Sequence, residues 1–214
     1  MEIEKGYLLI VEDDFDILNL LQTTLNLSGY RVKTARDGSE ALDVVAQEHP
    51  KIVVADIMMP KLDGFGLVHR LRINPETRAI PVVFITATFV SAEDREFAHN
   101  IGATRFIQKP LDIDEFLETI SELLQSGTPP LTEPLDENKF YEEYKKRLEE
   151  KLEQKNIQIT RDTNLLNTKS LGPRSEEENQ FIRASLQKAI RDREELMTLL
   201  DQVQEQLEKH TRKK

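Results

Sequence analysis

The chain has 214 residues, a formal net charge of −10 and 38% hydrophobic residues, enough for one well-buried domain with an appendage. It contains no cysteine, which excludes disulfides, thiolate metal sites and cysteine nucleophiles. No stretch approaches the roughly 20 uninterrupted apolar residues of a membrane-spanning helix, and the start Met1-Glu2-Ile3-Glu4 is acidic where a signal peptide is basic; a cytoplasmic protein with no membrane partner is expected.

In chain order, Tyr7 to Val11 is a continuous apolar run and reads as a strand. A helix carrying Ile17, Leu18, Leu20, Leu21 and Leu25 follows and stops at Ser28-Gly29. Tyr30 to Thr34 alternates as an edge strand does. Ala41, Leu42, Val44 and Val45 mark the next helix, Ile52 to Ala55 the third strand, and Gly66 to Leu71 the third helix. Val82 to Thr86 is again continuously apolar. Ser91 with Asp94, three residues on, opens a helix over Ala92 to Asn100 that stops near Gly102. Arg105 to Ile107 is the fifth strand, and Asp112 with Glu115 opens a helix over Asp114 to Leu124. Strands alternating with helices predict an α/β fold, a doubly wound five-stranded parallel sheet. The continuously apolar first, third and fourth strands belong at its centre, which suggests the order 2-1-3-4-5.

The domain predicted over residues 1–125 is followed by a linker at 126–136, where Pro129, Pro130 and Pro134 can neither continue a helix nor pair as a central strand. Two long helices are predicted beyond it, at about 137–167 and 175–210, separated by Gly172-Pro173. In the second, Ile182, Ala189, Leu196 and Val203 recur every seven residues, with Leu186, Leu200 and Leu207 as a second series interrupted by Arg193. That is the pattern of an all-α, coiled-coil extension. The first of the two is less regular: Tyr144, Leu148, Leu152, Ile159 and Leu166 lie on a drifting face, and a charged spacer is the simpler reading. Residues 1–136 carry 12 Lys+Arg against 23 Asp+Glu, and 137–214 carry 17 against 16. Neither part supplies the basic face that nucleic acid binding needs, so a DNA-binding output is disfavoured.

Chemistry in an open parallel sheet collects at the carboxyl ends of its strands, near the point where strand order reverses. The first strand ends at Glu12-Asp13-Asp14, the third at Asp56, the fourth at Thr86 and the fifth just before Lys109. Taken singly, each is ordinary: Asp13 and Asp14 a helix N-cap and a solvated charge, Asp56 the start of a loop, Thr86 a strand residue and Lys109 a surface lysine. Together, clustered carboxylates facing a lysine suit a divalent cation with oxygen ligands, such as Mg2+ bridging to a phosphate.

These residues resemble the receiver domain of two-component response regulators, and the single-domain chemotaxis regulators in particular. The matching motifs are Asp13-Asp14, the run Asp56-Ile57-Met58-Met59-Pro60-Lys61-Leu62-Asp63-Gly64, Thr86-Ala87 and Lys109-Pro110. The resemblance covers roughly residues 6–125 and implies a flavodoxin-like fold. It also implies that Asp56 takes a phosphoryl group from a partner histidine kinase, with Asp13, Asp14, Asp56 and the main-chain carbonyl of Met58 holding Mg2+. Lys109, aimed by a cis peptide to Pro110, would pair with the phosphoryl oxygens, and Thr86 would donate its hydroxyl. Phosphorylation would draw Thr86 toward Asp56 and let Phe106 turn inward, unless Phe106 is a plain core residue.

The resemblance further implies a homodimer through the face bearing the fourth helix, fifth strand and fifth helix; the heptads suggest the C-terminal coiled coil as a second or alternative contact. The chain is expected to be a phospho-acceptor rather than an enzyme, signalling by protein contacts of its helical segment. An enzyme-regulating or nucleic-acid-binding output, and a phosphorelay intermediate with a passive tail, stay open as alternatives.

Overall fold

A computed structural model describes residues 6–126, 135–167 and 175–211. Most of the predicted linker and the Gly172-Pro173 break lie outside the described residues. The chain divides into two compact units, residues 1–135 and 136–214, and each is described by itself.

In the first unit the elements run β1 (Leu8–Val11), α1 (Phe15–Leu27), β2 (Val32–Ala35), α2 (Gly38–Gln47), β3 (Ile52–Ala55), α3 (Gly64–Ile73), β4 (Val82–Thr86), α4 (Ala92–Asn100), β5 (Arg105–Gln108) and α5 (Ile113–Ser126). All strand pairs are parallel, and the sheet order is β2-β1-β3-β4-β5. Every residue of β1, β3 and β4 is buried, as continuous apolar runs covered on both faces require. The edge strand β2 does not alternate in burial; its first three residues are all half-exposed. There Lys33 lies along the Tyr7 ring, with Nζ 4.3 Å from its centroid, so the polar residue of the expected alternation is itself partly covered.

Short polar side chains start the helices where the sheet needs them. Asp14, Asp37, Asp63 and Ser91 are N-caps that accept hydrogen bonds from first-turn amides, and Ser91 with Asp94 completes a capping box. At the other ends, Gly29 and Gly102 take φ of 89° and 97°, the left-handed backbone that glycine adopts without strain. On one side of the sheet, Leu18, Leu21 and Leu25 of α1 and Phe116, Ile120 and Leu123 of α5 pack on Ile10, Val54 and Ile85. Toward α3 and α4, Phe65 meets Phe84, Phe89 and Phe97 edge-on at 5.0–5.5 Å between ring centroids. Each such buried side chain contributes about 1.5–3 kcal/mol. Together they hold the strand ends in place.

In the second unit, α6 (Glu137–Asn167) and α7 (Glu176–Thr211) pack against each other. Lys155 Nζ donates to Asp192 Oδ2 at 2.5 Å and Ser185 Oγ to Asp162 Oδ2 at 2.8 Å, which makes the pair antiparallel. Ala189, Leu196 and Val203 of the first heptad series are buried. The second series is displaced by one residue from the expected one. Leu199 is buried, with Ser185 and Asp192 on the same line bonded to α6, whereas Leu186, Arg193 and Leu200 are half-exposed. The drifting face of α6 resolves into a seam of its own, with Tyr141, Tyr144, Leu148, Lys151 and Asp162 buried. α6 is therefore half of a helical hairpin rather than a free spacer.

Candidate functional site

The site grows from the carboxyl ends of β1, β3, β4 and β5. Parallel pairing puts Val11 level with Ala55, and the next amide, Asp56 N, donates to Val11 O at 2.9 Å. Lys109 N, just past β5, donates to Thr86 O at 2.9 Å. Residues far apart in the chain are thus brought together by the sheet's own register, and the Lys109-Pro110 peptide is cis.

Lys109 Nζ bridges two carboxylates, donating to Asp56 Oδ2 at 2.7 Å and to Glu12 Oε2 at 2.8 Å. The three side chains are only 16%, 11% and 3% exposed, respectively. The other Asp56 oxygen, Oδ1, accepts from the amides of Ile57 at 2.6 Å and Met58 at 3.3 Å. Thr86 is fully buried, and its Oγ1 accepts from Thr88 N at 3.3 Å. Behind the site, a Cβ on Gly64 would stand 2.4 Å from Asp56 O and 2.8 Å from Ile57 Cα, so only glycine lets α3 start this close. Asp63 is buried but turned away to cap α3, accepting from Gly66 N at 2.8 Å.

The electrostatics follow from crowding acids into a partly buried crevice. Burial first, then the charge of Asp56, pushes the Glu12 carboxyl up to about 7 despite its bond to Lys109. Asp13 is raised too, again by burial first, with Asp56 adding to it. Burial pulls the Lys109 ammonium downward, but Asp56 and Glu12 together hold it above the ordinary lysine value.

One assignment from the sequence needs correction. Asp14 does not face Asp56; its Oδ1 accepts from Asp16 N at 3.0 Å and Ile17 N at 3.1 Å, so the side chain is exposed and turned back onto α1. An N-cap must point at the first-turn amides and cannot also point into the crevice. The acidic pair facing Asp56 is Glu12 and Asp13, and Glu12 was missed. Its signal was its place, directly after the last apolar residue of β1. Phe106, half-buried on β5, lies under the Arg95 guanidinium at 5.5 Å from its ring centroid, and Arg95 Nη2 also donates to Gln108 Oε1 at 3.1 Å. Arg95 was likewise not anticipated.

The donor set suits a small, hard divalent cation. Among the described residues no three acidic or histidine side chains converge as a ready-made metal cage. Mg2+ needs none, because it commonly takes one or two carboxylates and completes its shell with water and phosphate. Glu12 and Asp13, both held above their ordinary values by burial first and then by like charge, are the groups that such an ion would relieve.

The sequence pattern of the response regulator receiver domain matches residues 8–121. The chain belongs to the response regulator receiver family. Over 130 residues it is 40% identical to the probable transcriptional regulator ycf27 of Cyanophora paradoxa, covering 61% of this chain and 53% of that protein. The response regulator MprA of Mycolicibacterium vanbaalenii is 36% identical over 122 residues, 57% of this chain and 52% of that one. The chain thus spans about half the length of these curated relatives. Among solved structures, the chemotaxis response regulator CheY4 of Vibrio cholerae superposes with a TM-score of 0.52 at 29% identity, covering 55% of this chain and 98% of that one. A CheY-like receiver domain protein from Methanospirillum hungatei gives 0.52 at 29%, over 56% and 94%. The receiver match ends before α6, so these likenesses describe the first unit. Among the described residues no helix is long and apolar enough to cross a membrane.

Proposed function

We propose that this receiver domain accepts a phosphoryl group on Asp56 from a histidine kinase, in the cytoplasm, and passes the signal on through protein contacts, without acting as an enzyme on other substrates. The observation that carries this reading is the position of Lys109, bridging Asp56 and Glu12 at the mouth of the sheet. In the transfer, an Asp56 oxygen forms a bond to phosphorus while the bond from phosphorus to the donor imidazole nitrogen breaks, the electron pair staying on the nitrogen. Lys109 moves from bridging two carboxylates to pairing with phosphoryl oxygens, and the amides of Ile57 and Met58 hold the carboxylate's orientation. Mg2+, held by Glu12, Asp13, Asp56 and the carbonyl of Met58, would offset charge on the transferring group.

Thr86 then donates its hydroxyl to the new phosphoryl group, and Phe106 follows it inward, reshaping the face of α4, β5 and α5. In this reading the protein works as a homodimer, through that face, the helical hairpin, or both. The name of the Cyanophora paradoxa relative, a probable transcriptional regulator, favours a second reading, a transcriptional output through nucleic acid. Against it stands the near-neutral helical segment, with 17 Lys+Arg and 16 Asp+Glu over residues 137–214.

Acetyl phosphate with Mg2+ tests the central claim. Asp56→Asn is expected to abolish labelling and Asp63→Asn to retain it, since Asp63 caps α3. Equal labelling of Asp56→Asn and the parent would overturn the assignment.

A further inference from the structure

The α6–α7 hairpin is lopsided. Each helix presents a third line of residues, four positions beyond the buried one, on the same flank of the antiparallel pair. On α6 it carries Leu152 and Ile159, on α7 Leu186, Arg193 and Leu200, and all five side chains are only half-buried by the hairpin. The opposite flank is exposed and mainly polar, with Gln154 and Arg161 on α6 and Lys188, Glu195 and Gln202 on α7, and the exposed Phe181 near the start of α7 is its apolar exception. The Lys155–Asp192 and Asp162–Ser185 contacts set Leu152 about level with Arg193, and Ile159 with Leu186.

From this we infer that the apolar flank is where a second copy of the chain docks, two hairpins stacking into an antiparallel four-helix bundle. The inference rests on the reading above that the chain pairs with itself, and it says by which surface. Three features favour a second copy as the occupant. The first is self-complementary charge. Arg193 interrupts the apolar line, and its Nε is buried with no hydrogen-bond partner among the described residues. A twofold axis along the bundle lays α7 of one copy over α6 of the other, which brings that guanidinium within a helical turn of the partner's acidic rim at Glu149. Among the described residues of its own chain Glu149 makes a loose contact, 3.7 Å from Lys145.

The second feature is size. Helices of 31 and 36 residues offer a face roughly 45 Å long by about 20 Å wide at ordinary helix spacing, about 900 Å² per copy and within the range of stable dimers. The third is phase: both flank lines keep the seven-residue spacing of the buried seam, as the layers of a four-helix bundle do.

Sedimentation equilibrium of the unphosphorylated full-length protein tests this, with circular dichroism as a control on helicity. The parent is expected to dimerise, and Ile159→Lys with Leu200→Lys to weaken dimerisation by roughly 100-fold or more while retaining helicity and Asp56 labelling. Glu149→Arg and Arg193→Glu, at positions tolerant of charge, should each weaken it, and the two combined should restore it. A parent that stays monomeric overturns both this surface and pairing through the hairpin. A dimer that survives the two lysines, or a charge swap that rescues nothing, overturns the surface alone and leaves self-pairing standing.

Discussion

At Glu12, burial and the charge of Asp56 oppose ionisation while Lys109 Nζ, 2.8 Å away, favours it, and burial wins, so that the carboxyl titrates near 7. A folded value above the ordinary 4.5 means that the native state holds its proton longer than the unfolded chain does. This contribution to stability is complete below the unfolded value and is lost as pH rises toward about 7. Denaturant unfolding of the metal-free protein should therefore show stability falling over that window, by on the order of 2–3 kcal/mol at most. Glu12→Gln should remove most of the slope, with Asp13 leaving a smaller one of the same sign. In the same window Mg2+ affinity should rise with pH, because the ion binds the ionised form, and isothermal titration at two pH values checks it. Asp14, by contrast, is an N-cap. Asp14→Ala should cost about 1 kcal/mol in unfolding while leaving Asp56 labelling by acetyl phosphate close to the parent's.

Among the elements, α6 and α7 show how polar residues take part in a packed seam. Lys155 and Asp192 face each other with side chains 17% and 13% exposed, and Asp162, buried, accepts from Ser185. Removing one partner leaves the other charge half-buried, so Asp192→Ala should lower the unfolding free energy by about 1–3 kcal/mol. Replacing both, Lys155→Met with Asp192→Leu, should recover most of it, and a double-mutant cycle in urea reads the coupling. The same polar residues explain why α6 was hard to read. A search for apolar heptads passes over Lys151, Lys155, Gln158 and Asp162 and selects Leu152, Ile159 and Leu166, which lie on the flank. In the first unit the reverse held. Apolar runs such as Ile52 to Ala55 and Val82 to Thr86 end where a charged or small polar residue begins, and their bounds were legible to the residue.

Across the whole molecule, the proposed signal would travel from the strand ends to a surface. Arg95 sits beside the ring of the proposed switch, with its guanidinium over Phe106 and bonded to Gln108. In that proposal it holds the ring in its half-exposed place. Arg95→Ala should ease the inward turn and speed acetyl phosphate labelling about 2–5-fold, the scale of an exposed cation–π contact; an unchanged rate would remove Arg95 from the switch. The sequence by itself determined the alternating α/β order, the central strands and the placing of Asp56 and Lys109 at nearby strand ends, because apolar periodicity and the ends of parallel strands are local signals with one spatial outcome. Tertiary structure alone decided which acids face Asp56, since Asp13 and Asp14 differ only in which way the chain turns into α1. It also decided which helix fills the α7 seam and which flank stays open, because residues one position apart in a heptad differ by where the partner helix lies.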